Sequence, residues 1–168
     1  MKTRLPLFLL TLAVSGLAFV SCERKGETTI ATATAEKDSS NEAVVYGEGF
    51  HKDEVTPQGV LRWVRQEAVL TINAPAAGKY RLDFRPITVF SPTAVAIEVS
   101  VNGQPSGTIT AEGSDFAQAP TRNIEAALQA GSNKVSLKAN RPEVKMSEAD
   151  SRMASFGLML PVQATPLP

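Results

Sequence analysis

The residues best suited to chemistry in this sequence are its single histidine and the acidic side chains near it. His51 is the one imidazole that a Ser-His-Asp arrangement could use, and a zinc site needs several His or Cys ligands. Glu48, Asp53 and Glu54 carry the carboxylate oxygens that Ca²⁺ prefers, but their spacing matches no established calcium loop. The sequence therefore predicts no catalytic residue, no metal site and no cofactor.

Trp63 and the arginines beside it are the strongest candidates for contacts with a ligand. An indole ring stacks on the face of a sugar or anchors a hydrophobic core, and the neighbouring residues leave both interpretations open. Arg62 and Arg65 are predicted to point away from Trp63, either into solvent or towards the carboxylates and paired hydroxyls that a guanidinium binds well. The predicted ligand-binding set is Trp63, Arg62, Arg65, His51 and Glu48.

Asp150 and Arg152 are two positions apart, so they share a face if this segment is extended. We predict that they form a structural ion pair or a backbone clamp where the last strand begins, with ligand binding as the alternative. The stretch before them, residues 142–148, is the longest irregular segment ahead of that strand. Loops at the rim of a sandwich often carry binding residues, so this loop is a second place to expect them.

Several segments of the chain alternate apolar and polar residues with a period of two. They are residues 68–72, 80–84, 95–101, 135–139 and 156–162. Such alternation is typical of strands with one buried face, and Asn102-Gly103 predicts a tight hairpin. Residues 124–130 fit a helical turn about as well as a strand.

The spacing of these strands predicts the fold class. Short strands without helical crossovers indicate an all-β fold, a single antiparallel jelly-roll-like β-sandwich of about eight strands in two sheets around one core. We expect the sandwich to span residues 44–163. Residues 164–168 lack a strand pattern, so we expect them to fray.

Residues 1–21 have the three-part layout of a secretory signal peptide. Lys2 and Arg4 precede an apolar run that is shorter than the roughly 20 residues of a membrane-spanning helix. The run ends at Phe19-Val20-Ser21-Cys22, which resembles the lipobox of bacterial lipoproteins. The resemblance implies that Cys22, the only cysteine, becomes the lipid-modified first residue of the mature chain and attaches it to a membrane. The alternative is an ordinary secreted protein with a chance cysteine.

The segment after Cys22 adds to the predicted location. Glu23 in place of aspartate argues against retention in the inner membrane, which favours the outer membrane of a bacterial cell envelope. Residues 22–43 are rich in Thr, Ala, Ser and charge, so we predict a disordered tether. Removal of the signal peptide takes Lys2 and Arg4 and leaves 15 basic and 17 acidic residues. This small negative excess does not favour binding to the phosphates of nucleic acid.

Several segments together, taken in order, resemble a known family of modules. They are Gly49-Phe50-His51-Lys52-Asp53-Glu54, Leu61-Arg62-Trp63-Val64, Ala68-Val69-Leu70-Thr71-Ile72, Val99-Ser100-Val101-Asn102-Gly103, Asp150-Ser151-Arg152 and Phe156-Gly157-Leu158-Met159-Leu160. The set resembles the galactose-binding-like or carbohydrate-binding β-sandwich modules attached to some bacterial membrane glycosyltransferases. The resemblance implies a non-catalytic domain that binds a glycan or a polysaccharide-assembly partner. Docking of another envelope protein and hydrolysis by a carboxylate pair stay open as alternatives.

Overall fold

The computed structural model describes residues 43–88, 93–113 and 115–168. The predicted signal peptide, the Cys22 anchor and nearly all of the predicted tether lie outside this part of the chain. The strands in it, numbered along the chain, are β1 (Val44–Tyr46), β2 (Glu54–Thr56), β3 (Gly59–Val64), β4 (Glu67–Ala74), β5 (Gly78–Ile87), β6 (Val95–Val101), β7 (Gln104–Ala111), β8 (Arg122–Leu128), β9 (Gly131–Ala139), β10 (Val144–Lys145), β11 (Met153–Ala154) and β12 (Phe156–Pro166). A 3-10 helix covers Phe116–Gln118, and within the described ranges no helix is long and apolar enough to cross a membrane.

Ten of these strands form two antiparallel sheets of five, so the predicted all-β sandwich is confirmed. Sheet A has the order β1-β4-β9-β6-β7, and sheet B has the order β2-β3-β12-β5-β8. β10 and β11 pair with each other as a separate ribbon. The sequence predicted about eight strands. It underestimated the number partly because β1 and β2 are edge strands of three residues each, too short to display a period of two.

A single core fills the space between sheets A and B. It is built from alternate residues, as the burial of every second side chain along β6 illustrates. Leu70 and Leu137 from sheet A meet Leu82, Phe84 and Phe156 from sheet B, and all five are buried to 1% exposure or less. Burying one such side chain contributes about 1.5–3 kcal/mol, so this layer provides most of the force that holds the sheets together.

A second apolar cluster covers part of the outer face of sheet B, the face turned away from sheet A. This outer cluster contains Leu61, Trp63, Ile87, Ala119, Ala154 and Met159. Gly157 lies beneath it, and a β-carbon there would stand 2.8 Å from Cγ1 of Ile87. The middle of β12 is therefore buried on both faces, because Ala154 of the ribbon and Ala119 belong to the cluster that covers it.

Most of the long connections lie at one end of the sandwich. The pairs Glu67–Lys138 and Val64–Phe156 place the ends of β3 and β9 beside the starts of β4 and β12. We call this end the loop end, and its described connections include residues 47–53, 112–121 and 140–155. The opposite end carries short turns such as the Asn102-Gly103 hairpin, confirmed with φ angles of 51° and 80°.

Three local expectations are resolved by the strand pairing. The expected fraying from residue 164 is wrong, because β12 continues to Pro166 by pairing with Tyr80–Leu82 of β5. The segment with ambiguous periodicity is a strand, β8, which pairs with β5 along its whole length. The loop at residues 142–148 contains β10, a two-residue strand that no sequence period could reveal.

Candidate functional site

Trp63 is buried in the outer cluster and is 5% exposed. Its ring packs against apolar side chains, as a core residue would, but these side chains lie outside the space between the two sheets. Its indole Nε1 donates a hydrogen bond of 3.0 Å to Oε2 of Glu54 on β2. The ring face is therefore covered by protein in this structure and offers no open platform to a sugar.

Asp150 and Arg152 form an ion pair that extends to Glu54. Nε of Arg152 lies 3.0 and 2.9 Å from the two carboxylate oxygens of Asp150, and its Nη1 lies 2.6 Å from Oε1 of Glu54. Hydrogen bonds from the side chain and the backbone of Arg152 hold the pKa of Asp150 at about 2. This chain of contacts, which ends at Trp63, ties the 140–155 loop to the edge of sheet B.

Arg62 points to the face of β3 opposite Trp63, as predicted. Its guanidinium carbon lies 4.7 Å from the centre of the Tyr46 ring, and its Nε donates to Oδ1 of Asp53. Burial raises the pKa of Tyr46, whose hydroxyl accepts a hydrogen bond of 2.9 Å from the backbone N–H of Val162. Arg62 is thus occupied in closing the edge of the sandwich between β1 and β3.

His51 is engaged with the backbone of the ribbon. Its Nε2 donates to the carbonyl oxygen of Met153 at 2.8 Å, and its own N–H bonds the carbonyl oxygen of Trp63 at 2.9 Å. In residues 43–88, 93–113 and 115–168, no group of three His, Cys, Asp or Glu residues could hold a metal ion. The imidazole therefore holds the 140–155 loop against β3, alongside the ion pair of Arg152.

Arg65 and Glu48 line the same depression at the loop end, with a volume of about 520 Å³. Nε and Nη2 of Arg65 form a fork on Glu143, with distances of 3.0 to 3.1 Å. Burial raises the pKa of Glu143. The hydrogen bonds from Arg65 and from the N–H of Gln66 lower the pKa by more than burial raises it, so the pKa lies below its usual value. The carboxylate is thus held ionised and the guanidinium is held in one orientation.

This depression adjoins a larger one, of about 740 Å³, on the outer face of sheet A, and the two share Glu48 and Glu67. We call the pair the polar groove. Its floor is a row of small side chains that are neighbours across three strands, Val69, Ser136 and Ser100. A row of polar side chains forms one wall: Glu67, Lys138, Glu98 and Thr108.

Two residues in the wall of the polar groove form an exposed ion pair. Nζ of Lys138 lies 2.9 Å from Oε1 of Glu67, and this hydrogen bond raises the pKa of Lys138. In the sequence these residues give no sign of a site beyond their alternation, which places Glu98, Ser100, Ser136 and Lys138 on polar faces. Only the order of the strands, which one sequence does not reveal, brings them together.

Another groove, of about 590 Å³, lies between β1 and the last part of β12. Its lining includes Val44, Tyr46, Ile72, Pro161 and Val162, and it contains no charged side chain. Its lining is mainly apolar, with Asn73, Gln163 and Thr165 among its polar side chains. Of the two grooves, only the polar one contains residues from the predicted ligand-binding set that are exposed, namely Arg65 and Glu48.

No protein-family model matches this sequence, and no curated protein matches it. Solved structures do resemble the sandwich. The chain superimposes on a family 35 carbohydrate-binding module from Clostridium thermocellum with a TM-score of 0.50 and 15% identity, covering 76% of this chain and 95% of that one.

Two further structures resemble it at slightly lower scores. A family 35 module from Paenibacillus barcinonensis has a TM-score of 0.49 and 13% identity, covering 76% of this chain and 96% of that one. A module of Cellvibrio mixtus lichenase 5A, in complex with cellotriose, has a TM-score of 0.47 and 18% identity, covering 75% and 98%. At such identities a likeness establishes architecture alone: this chain is a two-sheet β-sandwich with the fold of the Clostridium thermocellum module.

Proposed function

We propose that this chain is a lipid-anchored protein of the bacterial cell envelope whose sandwich binds a glycan in the polar groove without transforming it. The observation that carries the binding function is the groove itself, an open polar trough that crosses the outer face of sheet A. The shared fold supports the same function, since the Clostridium thermocellum structure is a carbohydrate-binding module.

The groove has the chemistry that a sugar chain requires. The hydroxyls of Ser100, Ser136 and Thr108 donate and accept hydrogen bonds, and carboxylates such as Glu98 accept them from pairs of sugar hydroxyls. The floor crosses neighbouring strands about 4.8 Å apart, so an extended polymer lies along it and meets a polar group at each strand. The residues that line the groove include no aromatic side chain, so a sugar placed in it meets hydrogen-bonding groups rather than a stacking surface.

The proposal that the groove does not hydrolyse its glycan rests on the positions and ion pairs of its carboxylates. Glycoside hydrolysis uses two carboxyl groups that face each other across a bond, one as acid and one as base or nucleophile. Glu67 is bound to Lys138 and Glu143 is bound to Arg65. The other two carboxylates of the groove, Glu48 and Glu98, have β4 and β9 between them, so they are not a facing pair.

Filling the floor of the groove is expected to weaken glycan binding by about tenfold. Ser136→Gln places a longer side chain between Val69 and Ser100 and removes a hydroxyl. The measurement is isothermal titration of the purified chain with hexamers of glucose, galactose, mannose, glucosamine and galacturonic acid. Ala127→Gln is the control, since Ala127 is exposed on the outer face of sheet B. Equal affinities for the two variants would move the binding site elsewhere, and binding of no glycan would refute the function.

The anchor is tested separately in growing cells. Cys22→Ser removes the thiol that would carry the lipid, so the protein is expected to leave the membrane fraction and to lose metabolic labelling by a fatty acid. Ser21→Ala, which keeps a small residue before the cysteine, is the control and should stay in the membrane fraction. Unchanged membrane partitioning of Cys22→Ser would refute the anchor without affecting the glycan site.

A further inference from the structure

The polar groove contains more carboxylates than cations. Its ionisable residues are Glu48, Glu67, Glu98, Glu143, Arg65, Lys134 and Lys138. Arg65 is paired with Glu143, and Lys138 is paired with Glu67. These two ion pairs cancel their own charges, so what an incoming ligand meets is the remainder. That remainder is two carboxylates, of Glu48 and Glu98, against one ammonium group, of Lys134.

Glu98 lies in the row next to the floor of the groove, and it is the carboxylate of that row that has no ion pair of its own. It lies on β6 between Lys138 of β9 and Thr108 of β7, and it shares a face with Ser100 two residues further on. In the part of the chain that the structure describes, no hydrogen bond or ion pair engages its side chain. A carboxylate in this state accepts hydrogen bonds from hydroxyl or ammonium groups of a ligand and repels other carboxylates.

Lys134 lies too far from Glu98 to offset its charge. The two residues are four positions apart along the strand direction and on neighbouring strands, which separates their Cα atoms by about 14 Å. The Debye length at physiological ionic strength is about 8 Å. Lys138 lies directly opposite Glu98 and interacts with its charge, but it also pairs with Glu67, so this wall carries two carboxylates against one ammonium group. A ligand at the Glu98 wall therefore experiences a net negative charge, and Lys134 acts only at the opposite wall.

We propose that Glu98 makes the groove select neutral or amine-bearing glycans and discriminate against polyuronates. The proposal rests on the glycan-binding function proposed above and specifies the class of its ligand. A polyuronate carries a carboxylate on every sugar unit, so an extended chain along the floor must bring one close to Glu98. Two like charges about 4 Å apart in water repel strongly enough to lower an affinity by about fivefold.

The test compares hexamers that differ mainly in charge. Affinities of the purified chain are measured by isothermal titration at low salt for the glucose, galactose, mannose, glucosamine and galacturonic acid hexamers. The best neutral or amine-bearing hexamer is expected to bind at least about fivefold more tightly than the galacturonic acid hexamer. Glu98→Gln, which keeps the shape and one acceptor oxygen but removes the charge, is expected to reduce that ratio to near one, and Glu98→Lys to reverse it.

Glu125→Gln is the matched control, because Glu125 is an exposed carboxylate on β8 at the outer face of sheet B. It removes the same charge from the protein and should leave the ratio unchanged. A wild-type chain that binds galacturonic acid as tightly as the neutral hexamers overturns this proposal and leaves the glycan-binding function in place. A ratio that Glu98→Gln does not alter also overturns it, and binding of no hexamer overturns both.

Discussion

Replacement of Trp63 by alanine is expected to lower the free energy of unfolding by about 3–5 kcal/mol and to leave the glycan affinity of the folded protein unchanged. The ring is 5% exposed and packs with Leu61, Ile87 and Met159 in the outer cluster. Its removal leaves a cavity that the loops above sheet B cannot fill without breaking their own contacts. The floor of the polar groove lies on sheet A, so the positions of Ser100 and Ser136 do not depend on the ring.

The measurement is urea denaturation followed by circular dichroism, since Trp63 is the only tryptophan and its fluorescence is lost in the variant. Trp63→Phe is the control that keeps an aromatic ring while removing the indole N–H. It should cost only about 1–2 kcal/mol, because Glu54 keeps its contact with Arg152 at 2.6 Å. The opposite pattern, near wild-type stability with loss of glycan binding, would make Trp63 a ligand platform after all.

The sequence alone did not determine which side of the sheet Trp63 faces. Alternation places Trp63 and Leu61 on one face of β3, but it does not say whether that face looks towards the other sheet or away from it. The answer depends on residues far along the chain, since Ala154 and Ala119 are what cover the ring. A single sequence contains no record of which loop folds over which strand.

The sheets were predictable because their strands are long and regular. β6 alternates buried and less buried residues over its whole length, and its partner β9 does the same, so both have a clear period of two. β1 and β10 are two or three residues long and give no such signal. Where strands were recognised, the core residues between the sheets followed from them.

The candidate site was predicted less well than the fold, because its residues come from strands that are distant in the sequence. Arg65 and Glu48 were expected to bind a ligand from their chemical type, and the structure places both beside the polar groove. Ser136, Ser100 and Glu98 are ordinary solvent-facing strand residues in the sequence. They lie side by side only because β4, β9 and β6 are neighbours in sheet A. These strands are far apart in the sequence, so one sequence does not reveal that order.

Gly49→Ala is expected to lower the free energy of unfolding by about 2–5 kcal/mol and to weaken glycan binding as well. Gly49 has a φ of 82°, a conformation that costs other residues about 1–2 kcal/mol. A β-carbon there would overlap the carbonyl oxygen of Glu67 and lie 2.6 Å from Cα of Ala68. Both are backbone atoms at the start of β4, so relief requires the loop itself to move, at about 1–3 kcal/mol more.

The movement would disturb the groove because Gly49 holds its loop end in place. The carbonyl oxygen of Gly49 accepts a hydrogen bond of 2.8 Å from the N–H of Arg65, and the carbonyl oxygen of Glu48 accepts one of 2.9 Å from Val69. Displacing the loop weakens both bonds and moves the side chains of Arg65 and Glu48 relative to the floor. Isothermal titration with the best-bound hexamer should therefore show a lower affinity in the folded variant.

Gly103→Ala is the control that separates the conformational strain at positive φ from the steric overlap with β4. Gly103 has a similar φ of 80° and nothing within 4 Å of a β-carbon. It should cost only the conformational strain, about 1–2 kcal/mol, and leave the groove intact. The difference between the two variants in urea denaturation then measures the close approach of the loop to β4. Equal losses of stability, with equal glycan affinities, would show that the contact between Gly49 and β4 does not position the groove.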